Sequence, residues 1–151
     1  MFNYLIKTFF HANIVFLLFL ISCTEVPPPV SECGCESQTI SRIMNITGKL
    51  FYKKDSTGND FNNGKYWIIN TDENCINCVH HFIICNDNLL LNSITNIPNV
   101  ENYSEIFGNE YQVERLLDIQ FTGELKRICN PIFSPADYSY YNTYLTKITL
   151  K

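Results

Sequence analysis

Cysteine and histidine are the residues of this chain best placed to do chemistry. Cys75-Ile76-Asn77-Cys78 has the C-x-x-C spacing, and His80, His81 and Cys85 follow at once. Such a pair can act as a redox dithiol where a helix N-terminus lowers the thiol pKa. Here it runs instead into Val79-His80-His81-Phe82-Ile83-Ile84, which reads as a strand. Covalent haem attachment needs His directly after the second cysteine, and position 79 is Val. Zinc needs four Cys or His ligands that converge. In a strand, Cys78 and His80 share one face while His81 and Cys85 share the other, roughly 13 Å apart. Only Cys75, Cys78 and His80 converge easily, with a fourth ligand from Cys33 or Cys35. The plainer alternative puts the cysteines in disulfides, one histidine toward the core and the other toward solvent.

Other candidates are less specific. Phe133, Tyr138, Tyr140, Tyr141 and Tyr144 crowd one stretch. On a barrel face such rings stack on sugars or bases, and they also suit protein interfaces; the alternative has Phe133 and Tyr144 plugging a barrel end. An alternative ligand-binding, glycan-type site is therefore placed at Tyr138, Tyr140 and Tyr141. Asp118, Glu124 and the loop acids offer carboxylates, but no spacing singles out an acid–base pair. Asp55-Ser56-Thr57 resembles the short O-glycosylation signal of the Bacteroidota, which makes Ser56 a modification candidate. Glycine-rich phosphate loops, nucleophile elbows and zincin helices are absent from the sequence. The expected assignment is no catalytic residue, no cofactor and no enzyme activity.

The start of the chain sets the compartment. Lys7 precedes an uncharged apolar run, Ile14 to Ile21, too short to cross a bilayer comfortably. Pro27, Pro28 and Pro29 follow, with no basic stop-transfer cluster. This is the pattern of a cleaved secretory signal. Leu20-Ile21-Ser22-Cys23 resembles the lipobox of bacterial lipoproteins. The resemblance implies cleavage before Cys23, a diacylglycerol thioether on its sulfur, and palmitate-type acylation of the new amine. Two or more acyl chains anchor stably. Thr24, where Asp favours inner-membrane retention in that family, points to the outer membrane. The signal peptide is residues 1–22, the lipidated, proline-rich tether 23–38, and the folded domain 39–151.

Cleavage leaves 129 residues and, with Lys7 gone, moves the formal charge from −4 to −5. A mildly acidic domain without a basic run argues against nucleic-acid partners and against docking on anionic lipid. The partners expected are the membrane, through the lipid, and an envelope protein or glycan. Besides Cys23 six cysteines remain, and an even count in an exported domain points to disulfides. Cys85 and Cys129 each close an expected strand and are paired on that ground. Cys33 and Cys35 then pair with Cys75 and Cys78, fastening the tether to the loop between the second and third strands.

The elements that must position these residues are mostly strands. Thr39 to Tyr52 reads as one long bent strand with Gly48 as a bulge. Lys65–Asn70 and Val79–Cys85 are short strands. Residues 86–112 are ambiguous, with a helical turn near Glu101 to Phe107. Leu116 to Ile128 is a long strand with Gly123 at a bulge or bend. Residues 130–141 read as a Pro- and Tyr-rich loop, and Thr143 to Leu150 closes the chain. Five strands with glycine bends in the two long ones suit a small OB-like barrel, with a β-sandwich as the rival. The segments KYWII, FIICN and DIQFTGEL, with Cys85-Asn86, Phe121-Thr122-Gly123 and Ile148, are similar to small uncharacterised lipoproteins of the Bacteroidota. Those pair a lipobox with a compact barrel, and Ser is usual where this chain has Thr122. The resemblance implies fold and location and brings no activity.

Overall fold

The computed structural model describes residues 31–58, 60–72, 75, 78–102, 113–131 and 137–151. The leader, Cys23, the three consecutive prolines, Phe133 and most of the expected turn at 101–107 lie outside these residues. The elements are β1 (Thr39–Lys53), β2 (Lys65–Thr71), β3 (Val79–Ile84), α1 (Asp87–Ser93), β4 (Asn99–Val100), β5 (Leu117–Lys126) and β6 (Tyr138–Leu150). The strands are neighbours in the order β2-β3-β6-β5-β1, and β1 pairs with β2 to close the ring. The fold is thus a closed, OB-like five-stranded barrel rather than a sandwich. Only β3 and β6 run parallel within it. The extra strand, β4, lies parallel to β1 at Tyr52 and Lys53, where β5 has ended.

Alternation builds the core. Ile119, Phe121 and Leu125 of β5 point inward between exposed or half-buried neighbours. They meet Leu50, Ile68, Phe82, Ile84, Leu145 and Ile148 in one buried cluster, which Leu90 and Ile94 from α1 and its C-terminal end complete. β2 and β3 are buried on both faces. Their outer sides carry a second cluster of Phe51, Trp67, Ile69, Val79 and Ile83, covered by Phe61, Tyr138 and Tyr140.

Two bulges bend the long strands. Between Ile43 and Ile46, β1 carries one residue more than β5, and Asn45 there has φ 53°. Asn45 N–H donates to the Thr122 hydroxyl at 3.1 Å, so threonine keeps the contact a serine would make. Gly48, expected at a bulge, is instead a point of close approach. A Cβ there would lie 2.6 Å from Ile68 Cγ2 and 2.9 Å from the Ile69 carbonyl oxygen. Gly123 does sit at a register shift, against β6, where a Cβ would lie 2.9 Å from the Tyr144 carbonyl oxygen.

Three further expectations change. β6 starts at Tyr138, so Tyr138, Tyr140 and Tyr141 belong to a strand and not to a loop. A helix that was not expected falls at 87–93, and Glu101 and Asn102 are not helical; the rest of the expected turn lies outside the described residues. Ser31–Gln38, assigned to the tether, lies against the barrel, with Gly34 N–H donating to the Arg127 carbonyl at 2.7 Å.

Candidate functional site

The six cysteines form three disulfides, Cys33–Cys129, Cys35–Cys85 and Cys75–Cys78. The expected Cys85–Cys129 pairing does not occur, because β6 runs between β3 and β5. Two inter-strand steps of about 4.8 Å exceed the roughly 7 Å limit between bridged Cα atoms. Cys33 and Cys35 solve this as a fork. Gly34 turns between them at φ 89°. One prong reaches the end of β3 and the other the chain just beyond β5. The Cys75–Cys78 bond stays within the turn joining β2 to β3, so these two do not reach the N-terminal pair as expected. With that pair bonded, the set Cys75, Cys78 and His80 offers a metal only the imidazole, and no metal-holding group of His, Cys, Asp or Glu occurs among the described residues.

Beside this framework the barrel has an open mouth. β2 joins β1 only from Lys49, so β1 upstream of it has β5 on one side and no strand on the other among the described residues. A cavity of about 540 Å³ opens there, at the end of the barrel away from α1. Ile43, Ile46, Phe82, Leu125 and Tyr141 supply its apolar lining. Asn45, Thr47, Asn70, Thr71, Asp72 and His80 supply polar groups set among them. Asn70 Nδ2 donates to the Thr47 carbonyl at 2.9 Å, a side-chain bridge across the gap where a strand ladder would otherwise continue. His80 Nδ1 lies 2.7 Å from Ser139 Oγ, its partner in the β3–β6 register. Phe82 and Tyr141 stack with centroids 6.2 Å apart.

The neighbouring histidine has a different setting, as strand alternation requires. His81 is fully buried in the outer cluster. Its ring stacks on Tyr140 at 4.3 Å and stands edge-on to Trp67. Its Nδ1 lies 3.1 Å from the Ser139 carbonyl oxygen. Burial pushes its pKa down to about 4; the Ser139 carbonyl opposes this and nearby His80 adds to it. Lys53 is buried in the same cluster, donating to the Phe61 carbonyl at 2.7 Å and lying over the Trp67 ring at 5.4 Å. Burial lowers its pKa, against the pull of Asp55 and Asp60.

The tyrosines expected to share a ligand face are divided. Tyr140 is edge-on to Phe61 and Trp67 in the outer cluster, and burial raises its pKa. Tyr138 packs in that cluster too, while Tyr141 turns to the mouth. The outer β2–β3 surface, where OB folds commonly take ligands, is thus filled by the protein's own rings. Asp118 and Glu124 face outward on β5 and pair separately, with Lys49 at 2.9 Å and Arg42 at 3.0 Å. The Thr39 hydroxyl bond, with Arg42, holds the Glu124 carboxyl below its usual range. Ser56 is exposed, its N–H donating to the Glu101 carbonyl at 2.9 Å. The Asp55 carboxylate accepts from Thr57 N–H and hydroxyl, which shapes that turn.

Asn86 is the residue whose role sequence reasoning missed, although it stood in the Cys-Asn pair. Its Oδ1 accepts from Leu145 N–H and its Nδ2 donates to the Leu145 carbonyl, both at 2.8 Å. It stands in for a strand partner beside the β6 irregularity, where β3 has ended. No helix among the described residues is long and apolar enough to cross a membrane. No protein-family model matches this chain, and no curated protein is significantly similar to it.

Proposed function

We propose that the protein is a lipid-anchored binding module of a bacterial cell envelope, acylated on Cys23, with the outer membrane as its expected site. Ligand enters the barrel mouth, and the role is binding rather than catalysis. The observation that supports this best is the pairing of all six remaining cysteines. Disulfides persist in oxidising compartments outside the cytosol, where a lipobox would deliver the chain. The mouth adds a cavity of the size typical of ligand sites, about 300–1,000 Å³.

Metabolic labelling with an alkynyl palmitate tests the anchor. The native chain takes up label and partitions with membranes, and Cys23→Ser abolishes both. Equal labelling of the variant, or a cytosolic protein with free thiols, overturns the reading.

A second reading, an envelope thiol-redox protein, draws on one observation. Cys75 and Cys78 are bonded to each other, as an oxidised dithiol pair would be. Equilibration against glutathione buffers followed by alkylation decides it. A redox protein shows this pair alone opening at mild potentials with the fork intact, whereas a structural bond stays closed until the protein unfolds.

A further inference from the structure

We infer that the ligand of the barrel mouth is a neutral carbohydrate, bound through the apolar lining of Ile43, Ile46 and Tyr141 and the polar groups of Asn70, Asp72 and His80 set among it. This rests on the reading of the mouth as a ligand site. Three properties of the walls select the class.

The first is charge. Among the described residues the mouth is lined by one carboxylate, Asp72, and one imidazole, His80, with no lysine or arginine. A phosphate or carboxylate ligand would meet Asp72 without the guanidinium or ammonium partner that anion recognition uses.

The second is the mixture in the lining. A wholly apolar ligand would cover Asn70 Oδ1 and His80 Nε2 without replacing their bonds to water, which costs about 1–3 kcal/mol for each such group. A wholly polar ligand would leave the half-buried Ile43, Ile46 and Tyr141 surface in contact with water. A pyranose has both surfaces, since its axial C–H groups form an apolar face and its hydroxyls a polar rim.

The third is pre-arrangement. The bond from Asn70 Nδ2 to the Thr47 carbonyl fixes the amide and leaves its Oδ1 to accept. The Ser139 contact holds the His80 ring through Nδ1 and leaves Nε2 for a hydroxyl. The half-buried Tyr141 ring, held by stacking with the buried Phe82, supplies a ready platform. Little ordering is left to the moment of binding, which favours affinity.

Saturation-transfer NMR on the purified full-length protein in detergent micelles tests this. Neutral mono- and disaccharides (glucose, galactose, N-acetylglucosamine, maltose and cellobiose) are compared with glucose 6-phosphate and glucuronate. Transfer is expected to at least one neutral sugar and not to its charged counterpart. Tyr141→Ala and His80→Gln are expected each to weaken that binding about tenfold or more, with melting curves confirming that both fold. Asp72→Asn is a third variant on the rim, expected to weaken the neutral sugar by a similar factor. Phenol, which suits any cavity of mixed walls, is titrated in parallel and followed through the His80 ring protons. A shift with phenol but no transfer to any sugar overturns the carbohydrate assignment and leaves the mouth as a ligand site. Silence from both removes both. Sugar binding unchanged in all three variants, or tighter binding of a charged sugar, also overturns the assignment.

Discussion

The N-terminal fork and the β2–β3 hairpin are held in place by different means. Cys33 and Cys35 sit in a segment with almost no secondary structure, yet two covalent bonds tie them to positions 96 and 50 residues away. The hairpin has its own disulfide, but that bond spans a sequence separation of only 3 and reaches no other element. Packing holds the hairpin instead. Ile68 and Phe82 enter the barrel, while Trp67, Ile69, His81 and Ile83 are buried outside it. A segment too short to bury much apolar surface is fixed by cross-links, and one buried on both faces has little need of them. Closing a longer loop removes more freedom from the unfolded chain, so bonds of one chemistry differ in their effect on stability.

The largest expected effect comes from breaking the fork. Cys33→Ser with Cys129→Ser should lower unfolding free energy in urea by about 5 kcal/mol, and the Cys35, Cys85 pair by about 4 kcal/mol, on the loop-entropy account. Next is the packing of the hairpin. Trp67→Ala removes a fully buried indole and the surface under Lys53, at about 4 kcal/mol, by the same measurement. If this variant melts like the native protein while the fork variants collapse, packing is not what holds the hairpin.

Acid should act on the hairpin and spare the fork. His81 has a folded pKa of about 4 against 6.5 in the unfolded chain. Above pH 6.5 neither state is protonated and this stability is fully present. As pH falls toward 4, only the unfolded chain takes up the proton, and about 3 kcal/mol is lost. His81→Phe should flatten that acid limb of the stability profile. A limb of unchanged depth would assign the effect to another group.

The smallest change is expected from Cys75→Ser with Cys78→Ser, about 2 kcal/mol. A loss as large as that from the fork would mean that the turn bond does more than close its own loop.

Much of the barrel was legible because alternation survives in single strands. Ile119, Phe121 and Leu125 show it, while β2 and β3, buried on both faces, were legible as β-branched and aromatic runs. The glycine at 123 could be read as a bend in a long strand, and it stands where the Tyr144 backbone comes too close for a Cβ. Pairing of the cysteines was not legible, since it depends on β6 lying between β3 and β5, a long-range relation. The start of β6 was hidden by Pro131 and Pro135, which marked a loop up to residues that in fact continue the strand. α1 is hidden by its composition. Asp87-Asn88-Leu89-Leu90-Leu91-Asn92-Ser93 has no helical period, and Leu90 is its one buried residue. His80 stood out, but as a metal ligand beside Cys78. Its actual neighbour, Ser139, belongs to the part of β6 that read as a loop, and Asn70 read only as the last residue of a short strand.

The fork also decides where mechanical force travels. Traction on the chain ahead of Ser31 meets Cys33 first and crosses a sulfur–sulfur bond to the chain beyond β5, with the Cys35 link to β3 in reserve. It does not reach β1 as a tug that peels that strand from β5 one hydrogen bond at a time. If the chain is anchored as proposed, pull on its N-terminal side is borne first by covalent bonds and not by the hydrogen bonds of β1.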